Sequence, residues 1–368
     1  MAKPAYPGGW RSTPRSRRVA VVVAMTLALG ACGGVDLTDA GPDEVAGEVA
    51  VPASEAALRE KVQGKTVSVA SAGFTNPTFT TMHKTLEILN SDFGVKSDYR
   101  VMDSSPMNAA LISGQIQIGH VSIGGMLGAI EAGAPLVAIG VNSQKNAYEI
   151  LAKAPIAKLE DLRGKPFAVS QNLNSIVGQT ATTCFDQVGM DVKKDLQLIH
   201  LGNVSQITEA LLKGTVAAGV ATNYVRIEFG LETKDTWNVL CRGADANPQF
   251  HNLYTVGKEW LRENGDLALA LVAAELKSAR WARANPDEWV KLAMSKVRDL
   301  TEEQAKLDYK MFIEELDMWP VNGGIDQTIC DRSIATAKKF GVLRKDLTCA
   351  DIMTRKYQDA ALALLGRQ

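Results

Sequence analysis

The sequence predicts an α/β protein of two similar lobes, each an open, mostly parallel sheet flanked by helices. Two observations carry this. The stretch "ALISGQIQIGHVS" from Ala110 returns in altered form as "ALLKGTVAAGVAT" from Ala210. The offset of one hundred holds elsewhere: "GKTVSVAS" from Gly64 aligns with "GKPFAVSQ" from Gly164, and Ser105 aligns with Ser205. Around each repeated piece, strand-like runs alternate with amphipathic helical runs, the pattern of a parallel sheet crossed by helices.

The chain has 368 residues, 46% hydrophobic and 22% charged, which suits about two domains. Its N-terminus reads differently. Arg11, Arg15, Arg17 and Arg18 precede the short apolar run "VAVVVAMTLALG" and then "LGAC", ending at Cys32. A basic segment, a short apolar run and small residues make an export signal, too short to span a bilayer as a stable helix. "LGAC" resembles a bacterial lipobox, so residues 1–31 are expected to be removed and Cys32 to carry lipid, holding the protein at a membrane surface. A plain signal peptide with an incidental cysteine is the competing reading. Residues 32–53, rich in Gly, Pro and acids without periodicity, read as a tether.

Each repeat unit opens on a "GK" turn and a strand, Thr66–Ala70 or Pro166–Val169, whose apolar and β-branched residues suit a buried position. A polar loop, "SAGFTNPT" or "SQNLNS", enters an amphipathic helix over Phe79–Leu89 or Ile176–Val188. A second strand follows (Tyr99–Met102; Leu196–Leu201), then a short helix ending "AL-x-x-G", whose glycine can stop the helix at positive φ. The third strand is Ile116–Val121 or Val216–Ala221. Strands at Tyr148–Ala152 and Leu253–Val256 would cross between the lobes as a two-strand hinge. The expected division is 64–153 plus 257–368 for the first lobe and 154–256 for the second. From Gly265 the pattern is mostly helical, expected to pack back on the first lobe, with Trp281, Trp289, Met294 and Met311 as packing residues.

Four cysteines remain after Cys32, and an even number in an exported chain permits disulfides. Cys330 and Cys349 flank a predicted helix and form the first candidate pair; Cys184 with Cys241 is the second, buried free thiols being the alternative. None has the spacing of a metal or redox site, and no cofactor is expected. Removing residues 1–31 deletes five basic and no acidic residues, so the formal charge moves from −1 to −6. That balance, without Lys/Arg clusters, argues against a nucleic-acid partner.

The succession "SSPMNAALISGQIQIG…EAGAPLVAIG", "AKLEDLRGKPFAVS", "ALLKGTVAAGVATN", "WARANPDEW" and "GVLRKDLTCADIMTRKYQDAAL" resembles substrate-binding proteins of ABC importers in the nitrate, sulfonate and taurine group, which includes carriers of thiamine-precursor pyrimidines. The resemblance covers roughly residues 64–365. It implies a type II periplasmic-binding-protein fold, a small-molecule ligand, a permease with its ATPase as partners, and a monomer in the periplasm or lipid-anchored outside the cytoplasmic membrane. Where the family carries Asp in its two turns, this chain holds Gln117 and Ala217.

In such sheets ligands collect at the carboxyl ends of strands, where loops enter helix N-termini. By matching position the ligand set is Ser71, Gly73, Phe74, Thr75, Ser104, Ser105 and Ser122 in the first lobe, and Gln171, Asn172, Asn174, Ser175, Asn223, Tyr224 and Arg226 in the second. Polar loops at helix starts are also ordinary N-caps. Arg226 could grip a carboxylate or sulfonate by its fork, or serve a structural ion pair. Phe74 and Tyr224 could flank an apolar ligand part, or pack. His120 reads first as a packed, hydrogen-bonded histidine.

The chain offers no HExxH, GxSxG, P-loop or post-strand GxGxxG motif. The fungal pyrimidine synthases, enzymes resembling the thiamine-precursor carriers, bear a "CCCFC" stretch that is missing here. The sequence is therefore read as a carrier of a small organic anion and not as an enzyme. An exported ligand sensor with the same cleft and a heteroaromatic carrier are the alternatives.

Overall fold

The computed structural model describes residues 39–72, 75–102, 104–170, 172–202, 204–228 and 237–368. The export signal, Cys32 and the first part of the expected tether lie outside these residues. The chain enters through α1 (Pro42–Ala46) and α2 (Glu55–Val62), then runs β1 (Thr66–Ala72), α3 (Thr80–Ser91), β2 (Lys96–Met102), α4 (Ser104–Ile112), β3 (Ile118–Ser122), α5 (Ile123–Glu131) and β4 (Leu136–Ser143). It crosses into β5 (Tyr148–Lys153), β6 (Pro166–Ser170), α6 (Ile176–Asp186), α7 (Val192–Asp195), β7 (Gln197–Leu201), α8 (Val204–Lys213), β8 (Ala218–Thr222), α9 (Asn223–Glu228) and β9 (Trp237–Arg242). From α10 (Gly243–Ala246) it returns to β10 (Asn252–Gly257). The tail follows: α11 (Lys258–Glu263), α12 (Gly265–Ala284), α13 (Pro286–Lys296), α14 (Glu302–Tyr309), a π-helical turn over Lys310–Glu315, α15 (Gln327–Lys339), α16 (Cys349–Ile352) and α17 (Lys356–Leu365).

The strands form two five-stranded sheets of the same plan, ordered β2-β1-β3-β10-β4 and β7-β6-β8-β5-β9. In each, the first three are parallel and the fourth, β10 or β5, runs antiparallel to both neighbours. The repeat thus extends to topology. Gly114 and Gly214, φ 71° and 68°, close α4 and α8 in the left-handed region that glycine enters without strain. At the altered turn, Gln117 takes on the shaping role: its Oε1 accepts from Ser68 N at 2.8 Å and its Nε2 donates to Gly114 O at 3.1 Å.

Three expectations need correction. The crossing strands belong to the sheets they reach: Tyr148 pairs with Thr222 in the second sheet, and Leu253 with Val121 in the first. Each crossing strand pairs on both sides within the sheet it reaches, β5 between β8 and β9 and β10 between β3 and β4, so 148–153 and 252–256 exchange lobes relative to the expected division.

The described part of the tether is docked. Val45 is buried, Lys258 Nζ donates to Ala40 O at 2.7 Å, and Lys356 Nζ donates to the carbonyls of Asp43 and Gly47 at 2.7 Å. Gly and Pro fix a tight path as readily as a loose one, which composition cannot distinguish.

The tail serves both lobes. α12 is buried at 13 of its 20 residues and, at about 1.5 Å per residue, spans about 30 Å. Its first part packs with α2, α3 and α17 in the first core. Ala279 and Ala282 near its end join Trp289, Met311, Phe312 and Trp319 in the second core. Met294, expected to pack, is 38% exposed. Cys184–Cys241 ties α6 to β9 and Cys330–Cys349 ties α15 to α16.

Candidate ligand-binding cleft

The carboxyl ends of β1, β3, β6 and β8 carry the polar loops, and the two crossings, 144–147 and 243–251, join the lobes there. A cavity of about 380 Å³ opens between the lobes, lined by Thr75, Asn76 and Pro77 of the first and by Tyr224, Val297–Leu300, Gln304 and Asp308 packed with the second. Of the sequence-assigned residues, Thr75 and Tyr224 meet in this cavity. Asn174 lines a separate outer groove beside the Lys339–Asp186 ion pair.

Gly73, Phe74 and Gln171 lie outside the described residues, as do the side chains of Ser104 and Ser105 at the start of α4. Ser71 Oγ shares a 2.6 Å hydrogen bond with the Tyr99 hydroxyl, which also meets Thr75. Ser122 Oγ accepts from Gly125 N at 3.2 Å and Ser175 Oγ from Gly178 N at 3.3 Å, so both serine oxygens cap helices, α5 and α6. Asn172 Oδ1 accepts from Asn174 N at 2.7 Å, shaping the loop before α6, and Asn174 O accepts from Gln179 Nε2 at 2.8 Å. Asn223 is buried at the start of α9, where its Oδ1 accepts from Tyr224 N at 3.0 Å.

Arg226 Nε donates to Glu149 Oε2 at 3.2 Å, and Arg242 stands 3.7 Å from the other Glu149 oxygen. Glu149 is buried in β5, so this pairing draws the Arg226 fork into the lobe.

The histidines near the floor are neutral at pH 7. His120 is buried on β3, with Nε2 2.6 Å from Asn142 Oδ1 and Phe79 and Tyr254 set edge-on around its ring. Burial, the largest cause, lowers its pKa to about 4, and burial does the same for His83 and half-buried His251. The histidines therefore add no positive charge here, and among the described residues the ionisable side chains on the cavity wall, besides the Tyr224 phenol, are Arg298, Asp299 and Asp308.

Sequence reading missed the Val297–Leu300 turn and Tyr99. The turn carries Asp299 at φ 59°, a strained conformation for a non-glycine residue. In sequence "VRDL" is only a charged interhelical connection, and its approach to Thr75 depends on packing far from the repeat. Tyr99 was legible as a strand residue; that β2 is an edge strand bringing its phenol to Ser71 was not.

No curated protein sequence matches the chain. Among solved structures the fold is similar to the periplasmic aliphatic sulphonate binding protein SsuA of Escherichia coli, at 19% identity, covering 79% of this chain and 93% of that one, TM-score 0.64. It is similar to the periplasmic nitrate-binding protein NrtA of Synechocystis PCC 6803, at 12% identity, covering 83% and 90%, TM-score 0.64. The desulfurization enzyme DSZB shares the fold too, at 13% identity, covering 81% and 99%, TM-score 0.63. These likenesses establish the two-lobe type II periplasmic-binding-protein fold. The NMT1/THI5-like family model matches residues 92–289, more than half of the chain, and the chain therefore belongs to the NMT1/THI5-like family.

Proposed function

We propose that the protein is the extracytoplasmic solute-binding component of an ABC importer, capturing a small organic anion of sulfonate or carboxylate type and passing it to a permease. The observation that carries this is the interlobe cavity with Thr75 on one wall and Tyr224 on the other, at the ends where parallel strands feed helix N-termini. Closing the lobes over it would bury most of a small ligand, the usual geometry of a two-lobe carrier. The sulphonate-binding and nitrate-binding neighbours support a carrier, and two disulfides suit an exported protein. Export by the N-terminal signal, lipid on Cys32 and a monomeric state complete the proposal.

A neutral heteroaromatic ligand is the second reading, favoured by the Arg226–Glu149 pair and the neutral histidines. An exported sensor would use the same cleft, and gene neighbours separate it from an importer: permease and ATPase genes favour transport, a histidine kinase sensing. DSZB keeps an enzyme on the test list. Titration calorimetry with Thr75→Val and Tyr224→Ala tests the site. The proposal expects each to weaken a bound sulfonate or carboxylate at least tenfold without loss of fold. Unchanged affinity in both would remove this cavity as the site.

A further inference from the structure

At the hinge side of the molecule lies a small enclosed chamber lined by Thr81 of α3, Val141 and Asn142 of β4, Glu275, Ser278 and Ala279 of α12, and the 319–323 connector. Its walls belong to different lobes. Glu275 lies among first-core residues of α12, with its Oε2 so close to the Gly140 backbone that a Cβ there would stand 2.5 Å away. Trp319 belongs to the second core, its ring 5.7 Å from Phe312 and 6.2 Å from Trp289. Beside it, Met318 O accepts from Gln144 N at 3.2 Å, so the connector runs along the first crossing.

We propose that this chamber is a proton-binding site coupled to lobe closure: Glu275 is protonated when the lobes are closed and ionised when they part, so capture takes up a proton.

Among the described residues no cation compensates the carboxyl. The groups facing it are Thr81 and Thr85 from α3, Gly140 and Asn142 from β4, Tyr254 from β10, Ser278 from α12, and Trp319 and Pro320 from the connector. Tyr254 is the titratable one, its phenol pushed up chiefly by burial and held by Asn142 Nδ2 at 3.3 Å; beyond Asn142 stands neutral His120. Neighbouring charges turn elsewhere: Lys277 to Glu55 and Asp92, and Arg280 to the carbonyls of Val321, Leu365 and Gly366. Thr81 Oγ1 and Trp319 Nε1 are buried without hydrogen-bond partners. As Trp319 withdraws with the second lobe, water entering the chamber and the Thr81 hydroxyl can solvate the carboxylate.

Burial alone raises the Glu275 pKa to about 8. Opening to water returns it toward the ordinary 4.5. Between those values the closed form binds more protons than the open one. Closure is thus favoured at the acid end and lost as pH rises toward 8, by at most about tenfold per pH unit for one proton. Above 8 both forms are ionised and the dependence ends.

The role in capture rests on the carrier reading, but the test needs no ligand and fails separately. The radius of gyration of the ligand-free protein, followed by small-angle scattering from pH 5 to 9, should rise in wild type and stay constant in Glu275→Gln. Identical profiles in the two proteins, or no change in wild type, would overturn the proposal. Should Glu275→Gln not fold, infrared spectroscopy of wild type reads the carboxyl directly. A protonated-carboxyl band that persists at pH 6.5 and titrates in step with the expansion supports it; no such band at pH 6.5 overturns it.

Discussion

Arg226 of α9 and Glu149 of β5 form an ion pair inside the second lobe, Nε to Oε2 at 3.2 Å, with the arginine side chain 13% and the glutamate 6% exposed. The residue that sequence matching assigned to the ligand is thus joined to its own scaffold. Removing one partner of such a pair leaves a buried charge with weaker compensation, with Arg242 standing 3.7 Å from the glutamate. Arg226→Ala is expected to cost about 3 kcal/mol of stability, read as a lower denaturant midpoint. Unchanged stability with tenfold weaker sulfonate binding would return the guanidinium to the ligand.

The two disulfides should differ in weight. Cys184–Cys241 spans 57 residues and Cys330–Cys349 spans 19. By loop-closure entropy their removal costs about 4 and about 3 kcal/mol. Equilibrium unfolding of Cys184→Ser/Cys241→Ser and Cys330→Ser/Cys349→Ser measures the order, and a larger loss for the shorter loop would contradict it.

Acid should destabilise the fold through its histidines. The His120 pKa falls from 6.5 to about 4 on folding, so the unfolded chain binds the proton first. Its share of stability is complete above pH 6.5 and is lost as pH falls from 6.5 to 4. Thermal melts of His120→Phe should show a shallower acid limb than wild type. An equally steep limb would place the titration elsewhere.

Two glycines should respond oppositely to alanine. A Cβ on Gly178 would meet the Leu173 backbone at 2.3 Å, beside the Ser175 cap. Gly178→Ala should cost about 2 kcal/mol or more. On Gly128, inside α5, the nearest atom would be Val342 Cγ1 at 3.9 Å, so alanine fits and should add up to about 1 kcal/mol of stability by helix propensity. Denaturant titration of both reads the signs directly.

Much of the fold was legible because it is written twice. The repeat located β1, β3, β6 and β8, and the glycines at 114 and 214 marked the helix ends between them. β4 and β9 were not seen. "LVAIGVNS" is buried along its whole length and so lacks the alternation that marks a half-exposed strand. The tail's division between two cores follows from the length of α12, which periodicity does not assign to neighbours. At the site, loop residues could be placed by position. Whether each hydroxyl caps a helix or faces a ligand depends on packing: Ser122 and Ser175 cap, Ser71 is bound to Tyr99, and Thr75 reaches the cavity.

The most direct measurement of the carrier reading is a thermal-shift titration of the purified protein with nitrate, taurine, alkane and aryl sulfonates, aromatic carboxylates and pyrimidine precursors. A ligand that binds only the folded form raises Tm by mass action. The account predicts a saturable rise with a sulfonate or carboxylate, abolished in Tyr224→Ala. A rise confined to the pyrimidines would transfer the site to the heteroaromatic reading. No rise with any of them, in a protein that melts cooperatively, would contradict solute capture of these chemistries.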